Sequence, residues 1–376
     1  AAAARGVTGS CAAADKLPHR TGVPAAPPLD ALVWLGDAIY ADKRADGRRS
    51  LQLFQVTNPL PLVRTFWVAQ RRSPIYTTFR ESCVRLRAAP GGGPTAPAEP
   101  PADRDDYDAV AVDPEPRRVY GTWDDHDMGQ NDGGRDYPHR AVTKRYFLNF
   151  LGADRADPRW GREGVYTFHT VPLADDGDGA ALAPVLRESY RHALCFLLLD
   201  VRSFRDAPNA SQLGDALGAP QWAWLEARLR TDLADGADGR RGCAAVLVGS
   251  GTQFMMDVLP SENWAEFPAS RDRLLALLRR HRAERVVFLT GDIHMGELAV
   301  DFGSAALQTL GYPLVEATSS GLTHSAGDYG LLGRLLPALF PARQRRLGLY
   351  VKPNFGLVRL AAADGWRASA EGRAAR

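Results

Sequence analysis

The side chains best suited to chemistry crowd into one stretch, Tyr120–Gly134, with the sequence YGTWDDHDMGQNDGG. Asp124, Asp125, His126, Asp127, Asn131 and Asp132 lie within it, and Asp136 just beyond. Neighbouring acids repel one another unless positive charge sits among them. A divalent or trivalent cation is the simplest source of that charge, because Asp, His and Asn side chains all ligate metals. The alternative is a solvated acidic turn, since Asp, Asn and Gly are also the commonest turn residues.

Other candidates lie far away in the chain. Asp292 and His294 stand two apart in Gly291-Asp292-Ile293-His294. In extended or loop backbone such residues point the same way and can grip one cation or two adjacent ones. Asp37, in Gly36-Asp37-Ala38-Ile39-Tyr40, is a weaker signal, because a single Asp after a strand is more often a cap or turn residue. Together with the acidic stretch, these residues predict a binuclear or larger metal site. Arg202 and Arg205 offer guanidiniums to a phosphate, although Arg beside Asp in VRSFRD is more often a structural pair. Asn131, Arg202 and Gln253 are the candidate substrate contacts. Glu297 and Asp301 read as solvated, and His139, His169, His192 and His324 as ordinary histidines.

What must position these residues is a set of short apolar runs, each stopping at a polar or glycine turn. Ala31–Leu35 stops at Gly36-Asp37, Val119–Trp123 at the acidic stretch, and Ala193–Leu199 at Asp200. Ala244–Val248 stops at Gly249-Ser250-Gly251, and Arg285–Leu289 at Thr290-Gly291-Asp292. Each reads as a strand, although periodicity alone does not separate so short a run from a buried helix. Leu314–Ala317 adds another, and Val7–Cys11 a short one near the amino end. Helices are expected over Val142–Phe150, Pro220–Leu233 and Arg271–His281, where apolar residues recur at helical spacing, and in part over residues 51–87. Strands alternating with helices predict an α/β layered fold. In α/β sheets ligands sit in the loops at the carboxyl ends of the strands. Asp37, Asp124, Asp125, Ser250 and Asp292 therefore converge on one edge.

Length and composition set the outer bounds. The chain's 376 residues suffice for one large domain or two ordinary ones. A hydrophobic share of 45% and a charged share of 24% are ordinary for a globular protein. A net charge of +2 gives no reason to expect nucleic acid or a membrane surface as a partner. The scarcity of lysine beside many arginines and alanines reads as a coding bias. No apolar run approaches the roughly 20 residues that span a bilayer. Cys195 and Cys243 lie in or beside apolar runs and read as core packing, with no CxxC pair and no disulfide framework. Ala88–Asp106 is Pro, Gly, Ala and acid with little to bury, and is expected to be a disordered surface insertion. The expected organisation is one domain over residues 1–358 and a flexible tail over 359–376. The chain opens AAAARGVTGS without a methionine and is expected to be a fragment or a processed product, which leaves targeting and compartment open.

Several blocks, in order, resemble one family. They are Gly9-Ser10-Cys11, Trp34–Tyr40 (WLGDAIY), Gly121–Asp127 (GTWDDHD) with Asn131–Gly134, Leu199-Asp200-Val201-Arg202, Ser250–Gln253, Gly291–His294 (GDIH) and Glu316–Gly321 (EATSSG). The set resembles the alkaline phosphatase D (PhoD-like) branch of the metallophosphoesterases, over about Val7 to Leu357. WDDHD and GDxH are the specific blocks; GSC and SSG are weak alone. The resemblance implies a calcineurin-like layered β-sandwich flanked by helices, with the metal site at the carboxyl ends of strands. It implies that Cys11, Asp37, Tyr40 and His294 hold Fe(III), and that Asp37 bridges to Ca(II) completed by Asp125 and Asp292. His126 is then placed beside the substrate phosphate. These residue types suit those ions, since thiolate and phenolate favour ferric iron and carboxylate oxygens favour calcium. Two close cations bind phosphate oxygens and activate water for attack. These residues do not match the family's separate amino-terminal β-sandwich domain, and Met128 stands where an aromatic is common.

The function expected is metal-dependent hydrolysis of small phosphate esters, monoesters, diesters or both. A non-catalytic calcium- or nucleotide-binding module on the same fold is the alternative. A serine hydrolase using Ser250 or Ser320 is weaker, because Gly249-Ser250-Gly251 is not a nucleophile-elbow motif.

Overall fold

The computed structural model describes residues 29–41, 58–86, 117–172, 188–207, 213–257, 262–303, 305–330 and 345–358. Cys11 and its strand, the 88–106 insertion and the 359–376 tail lie outside the described residues.

Two sheets carry the site. β1 (Leu32–Leu35) and β2 (Val119–Thr122) pair in parallel, Leu35 opposite Thr122. The second sheet has seven strands: β3 (Thr167–Pro172), β4 (Tyr190–Leu198), β5 (Arg241–Ser250), β6 (Val286–Thr290), β7 (Gly296–Asp301), β8 (Leu314–Ser319) and β9 (Arg345–Tyr350). Their spatial order is β3-β4-β5-β6-β8-β7-β9. β4, β5, β6 and β8 run parallel; β3 pairs antiparallel with β4, and β7 pairs antiparallel with both β8 and β9. Strands of a parallel core are covered on both faces, so they read as unbroken apolar runs. Nine consecutive residues of β5, Gly242 to Ser250, are buried.

The helices cover the outer faces. α1 (Leu60–Arg71), α2 (Pro74–Cys83) and α4 (Arg140–Leu151) pack Val63, Trp67, Tyr76, Phe147 and Phe150 with Trp34 and Trp123 into one core. α5 (Gly218–Asp232) and α6 (Pro268–Arg280) pack Trp222, Leu225, Leu229, Leu274 and Leu278 onto the other face of the large sheet. Pro268 begins α6, where its missing N–H costs nothing. Tyr120, Phe196, Leu198, Leu247 and Leu289 fill the space between the sheets with Val33 and Leu35. The layers are therefore helix, sheet, sheet, helix, the expected helix-flanked sandwich. α7 (Ala305–Leu310) lies before β8.

Three elements differ from the sequence expectation. β3, β7 and β9 have no apolar run, because, paired antiparallel on the outer parts of the sheet, they carry polar residues among the apolar ones. Glu297, expected in solvent, is buried on β7. Cys195 and Cys243 form a disulfide across β4 and β5, a pairing that 48 residues of separation had hidden.

Candidate functional site

The carboxyl ends of the strands bring the distant motifs together. β1 turns at Gly36, whose φ is +93°, and a Cβ there would lie 2.5 Å from the Cβ of Asp124. Only glycine permits that approach. β2 delivers Asp124 and then α3, a single buried turn of helix over Asp125–Met128. Asp124–Met128 is thus neither a solvated turn nor an open loop, whereas Asp132 lies in an exposed turn just beyond it. Asp127 holds the turn in place, accepting from the main-chain N–H of Ile39 at 3.0 Å and of Asp124 at 3.1 Å. β6 ends at Thr290 and leads to Asp292 and His294. Gly291 N–H donates to the carbonyl of Gly251 at 3.0 Å, which ties the β6 loop to the β5 loop.

Backbone strain concentrates here. Among the described residues, the non-glycine positions with left-handed φ are Asp37, Asp132, Asp292 and His294, with Arg282 and Arg285 elsewhere. Strained conformations persist where the surroundings over-determine them, and they gather at functional sites.

Asp37, Tyr40 and His294 lie side by side. Tyr40 Oη lies 2.6 Å from His294 Nε2 and 3.3 Å from Asp37 Oδ2. His294 Nε2 is 3.7 Å from the same oxygen. The His126 ring lies against Tyr40, with centroids 4.4 Å apart. Ligand atoms of Asp37, His126 and His294 all fall within 4.8 Å of one another. So do those of Asp37, Asp124 and Asp125, and those of Asp125, Asp132 and Glu262. Asp37 belongs to two groups, and His126 is thereby a possible ligand as well as a candidate acid.

The electrostatics demand positive charge. Asp124 and Asp127 are fully buried and Asp37 nearly so. Burial pushes Asp124 well above the usual carboxylate range, against the pull of Arg202 and with the repulsion of Asp125 and Asp37. Asp292 is raised by desolvation and then by the charges of Asp124, Glu262 and Asp125. Asp125 differs. Burial opposes its ionisation, but the charges of His126 and Arg202 and the amides of Asp132 and His126 outweigh it and hold the carboxyl well below the usual range. Asp37 Oδ1 and Asp124 Oδ2 are buried with no hydrogen-bond partner. Orphaned carboxylate oxygens among buried acids and a histidine fit a bound cation, so the residues present suit a metal site.

Two of the three expected substrate contacts are placed differently. Arg202 has no exposed side-chain surface; it donates twice to Glu262 at 2.6 Å and pairs with Asp124 through Nε. Arg205 joins the same Glu262. Arg202 is committed to the site's own acids, which leaves no free face for substrate. Gln253 is buried and donates to Thr318 Oγ1 at 3.0 Å and Glu297 Oε2 at 3.3 Å. Asn131 lies half-buried in the turn after α3. Glu262 was not legible in the sequence, since nothing in Glu262-Asn263-Trp264 marks it as the partner of an arginine 60 residues away. His324, read as ordinary, reaches the site, its ring 4.0 Å from that of Tyr40. A cavity of about 190 Å³ at the other end of β5, lined by Tyr190, Arg230, Arg241 and His281, touches none of these residues.

No described helix is long and apolar enough to cross a membrane. No curated protein matches the chain. A solved structure described as the structure of PhoD is similar, with a TM-score of 0.51 at 15% identity. The match covers 86% of this chain and 59% of that one. At that identity the likeness establishes the layered fold. The sequence model of the PhoD-like phosphatases matches residues 116–363, a span that holds the acidic helix turn, the Arg202 network and the GDIH loop. With most of its length matched in this way, the chain belongs to the PhoD-like phosphatase family.

Proposed function

We propose that the protein hydrolyses small phosphate esters in a metal-dependent reaction, as an alkaline phosphatase, a phosphodiesterase or both. Family membership supports the phosphatase class. The observation that carries the metal requirement is Asp37, shared by two buried ligand groups while one of its oxygens has no partner. In this reading Asp37, Tyr40 and His294 hold one cation, Fe(III) by family resemblance; Cys11, the further ligand that the resemblance implies, lies outside the described residues. Asp37, Asp125 and Asp292 hold the second, Ca(II) by the same resemblance. Bound cations supply Lewis-acid stabilisation of charge on the phosphoryl oxygens.

The chain's own groups do the rest. Arg202 and Glu262 hold Asp124 and the acidic turn in place. His126 stands against the Tyr40 ring and beside Asp37, and would donate a proton to the leaving oxygen. A histidine in that place contributes general acid help.

The test is an assay on p-nitrophenyl phosphate and bis-p-nitrophenyl phosphate before and after exhaustive chelation, with elemental analysis of the same samples. Loss of hydrolysis with loss of metal, and recovery of both on metal addition, is expected. Full activity in metal-free protein would contradict the proposal. A second reading, with His126 as a ligand, is favoured by its grouping with Asp37 and His294.

A further inference from the structure

Behind the candidate ligands lies a buried carboxylate that the proposed chemistry does not use. Glu316, in the middle of β8, is 2% exposed. Its Oε1 accepts from the main-chain N–H of Phe254 at 2.7 Å and from Thr290 Oγ1 at 2.8 Å. Its Oε2 accepts from the next main-chain N–H, that of Met255, at 2.9 Å. Two consecutive amides thus grip the two oxygens, and a hydroxyl adds a third bond. All of these donors are neutral, so no paired cation accounts for a charge placed there.

Each donor belongs to a segment that ends at the site. Phe254 and Met255 lie in the loop after β5. That loop is tied to Gly291 through the Gly251 carbonyl, and a Cβ on Gly251 would lie 2.7 Å from Asp124 Oδ1. Thr290 is the last residue of β6, two before Asp292 and four before His294. Its hydroxyl also meets that of Thr318 at 2.8 Å, and Gln253 donates to the same Thr318. Beyond Thr318 the chain reaches Ser320, whose Oγ accepts from the His294 N–H at 3.1 Å. One side chain on β8 therefore joins the loop that abuts Asp124 to the strand end that presents Asp292 and His294.

We propose that Glu316 is a positioning residue, whose two carboxylate oxygens set the β5 and β6 loops in the register that aims Asp292 at one cation and His294 at the other, with the β5 loop held against Asp124. The inference rests on the metal-dependent reading. It is specific to a carboxylate. Glutamine has the same size but one acceptor oxygen, so its NH₂ must face Met255 N–H or, flipped, Phe254 N–H and the Thr290 hydroxyl. A buried donor is then left unsatisfied whichever way the amide turns. Such supporting bonds orient metal ligands, and their loss typically weakens metal affinity by roughly 10–100-fold.

The experiment compares wild type with Glu316→Gln at a temperature well below unfolding of either. Calcium affinity is read by calorimetry after chelation, and main-chain amide exchange is read by segment. The expected result is calcium binding at least about tenfold weaker, with faster exchange confined to residues 252–256 and 290–295 and unchanged exchange in α4. For the hydrolysis of p-nitrophenyl phosphate at saturating metal, kcat falls while KM is held. Wild-type exchange in both loops, or exchange raised everywhere with calcium affinity unchanged, would overturn the inference by making Glu316 an ordinary buried acid. Wild-type protein that binds no calcium would instead overturn the calcium assignment, and the loop exchange alone would then decide the role of Glu316.

Discussion

Asp37 carries more of the site than any other side chain. Its Oδ2 faces Tyr40 and His294, and its other oxygen is buried without a partner. Its left-handed backbone places it where an aspartate at the end of a regular strand would not reach. His126 is the residue whose role divides the possible mechanisms. Calcium takes oxygen ligands, so a histidine beside an acidic cluster is better suited to moving a proton. His126→Ala is expected to lower kcat by roughly 10²–10⁴-fold while metal content holds. The loss should be smaller for p-nitrophenyl esters than for alkyl esters, whose leaving oxygen needs the proton more. Equal losses for both, accompanied by loss of metal on elemental analysis, would make His126 a ligand. These candidates were legible because chemically able residues cluster in sequence or follow apolar runs. Glu262 and His324 were not, because only the fold brings them to the site.

At the scale of elements, Arg202 is a strut between the one-turn helix and the segment before Trp264. Its guanidinium balances Asp124 and Glu262 in a place without solvent. Removing one partner of a buried pair leaves an uncompensated charge and typically costs about 3–5 kcal/mol. Arg202→Met is expected to lower stability by about that amount in denaturant unfolding. A substrate-binding arginine would instead raise KM in a protein of normal stability. The short helical turn Trp264–Glu266 offers a pH test. Burial, followed by the charge of Glu262, pushes Glu266 from 4.5 up to about 7. A carboxyl raised by folding binds its proton more tightly in the native state. Its stabilising share is full below its unfolded value and is lost as pH rises through about 7. Glu266→Gln should therefore raise Tm relative to wild type at pH above 7, with a gain that shrinks towards pH 5; partial exposure keeps the effect modest. A gain independent of pH would contradict this assignment.

The elements themselves were read with uneven success. β1, β4, β5 and β6 announced themselves as apolar runs because both faces are covered, by helices and by the other sheet. β3, β7 and β9 did not, since Thr167–Pro172, Gly296–Asp301 and Arg345–Tyr350 mix polar with apolar residues. Glu297 was misread for the same reason: a glutamate on an unrecognised strand looks like a surface residue. The acidic stretch looked like a loop because one helical turn is too short to show a period.

Over the whole molecule, the two sheets serve to bring their carboxyl ends together. β1 and β2 supply Asp37, Asp124 and Asp125, and the seven-stranded sheet supplies Asp292 and His294. The core between the sheets, from Tyr120 to Leu289, sets their separation and so the distance between the two halves of the site. Asp37 lies where the halves meet. The most direct test is the metal content of purified wild type against Asp37→Asn, by elemental analysis with folding confirmed in parallel. A shared carboxylate predicts that this single substitution removes both bound cations along with hydrolysis. If Asp37→Asn keeps either cation at the wild-type level, Asp37 is not shared, and the two-cation site built around it is wrong.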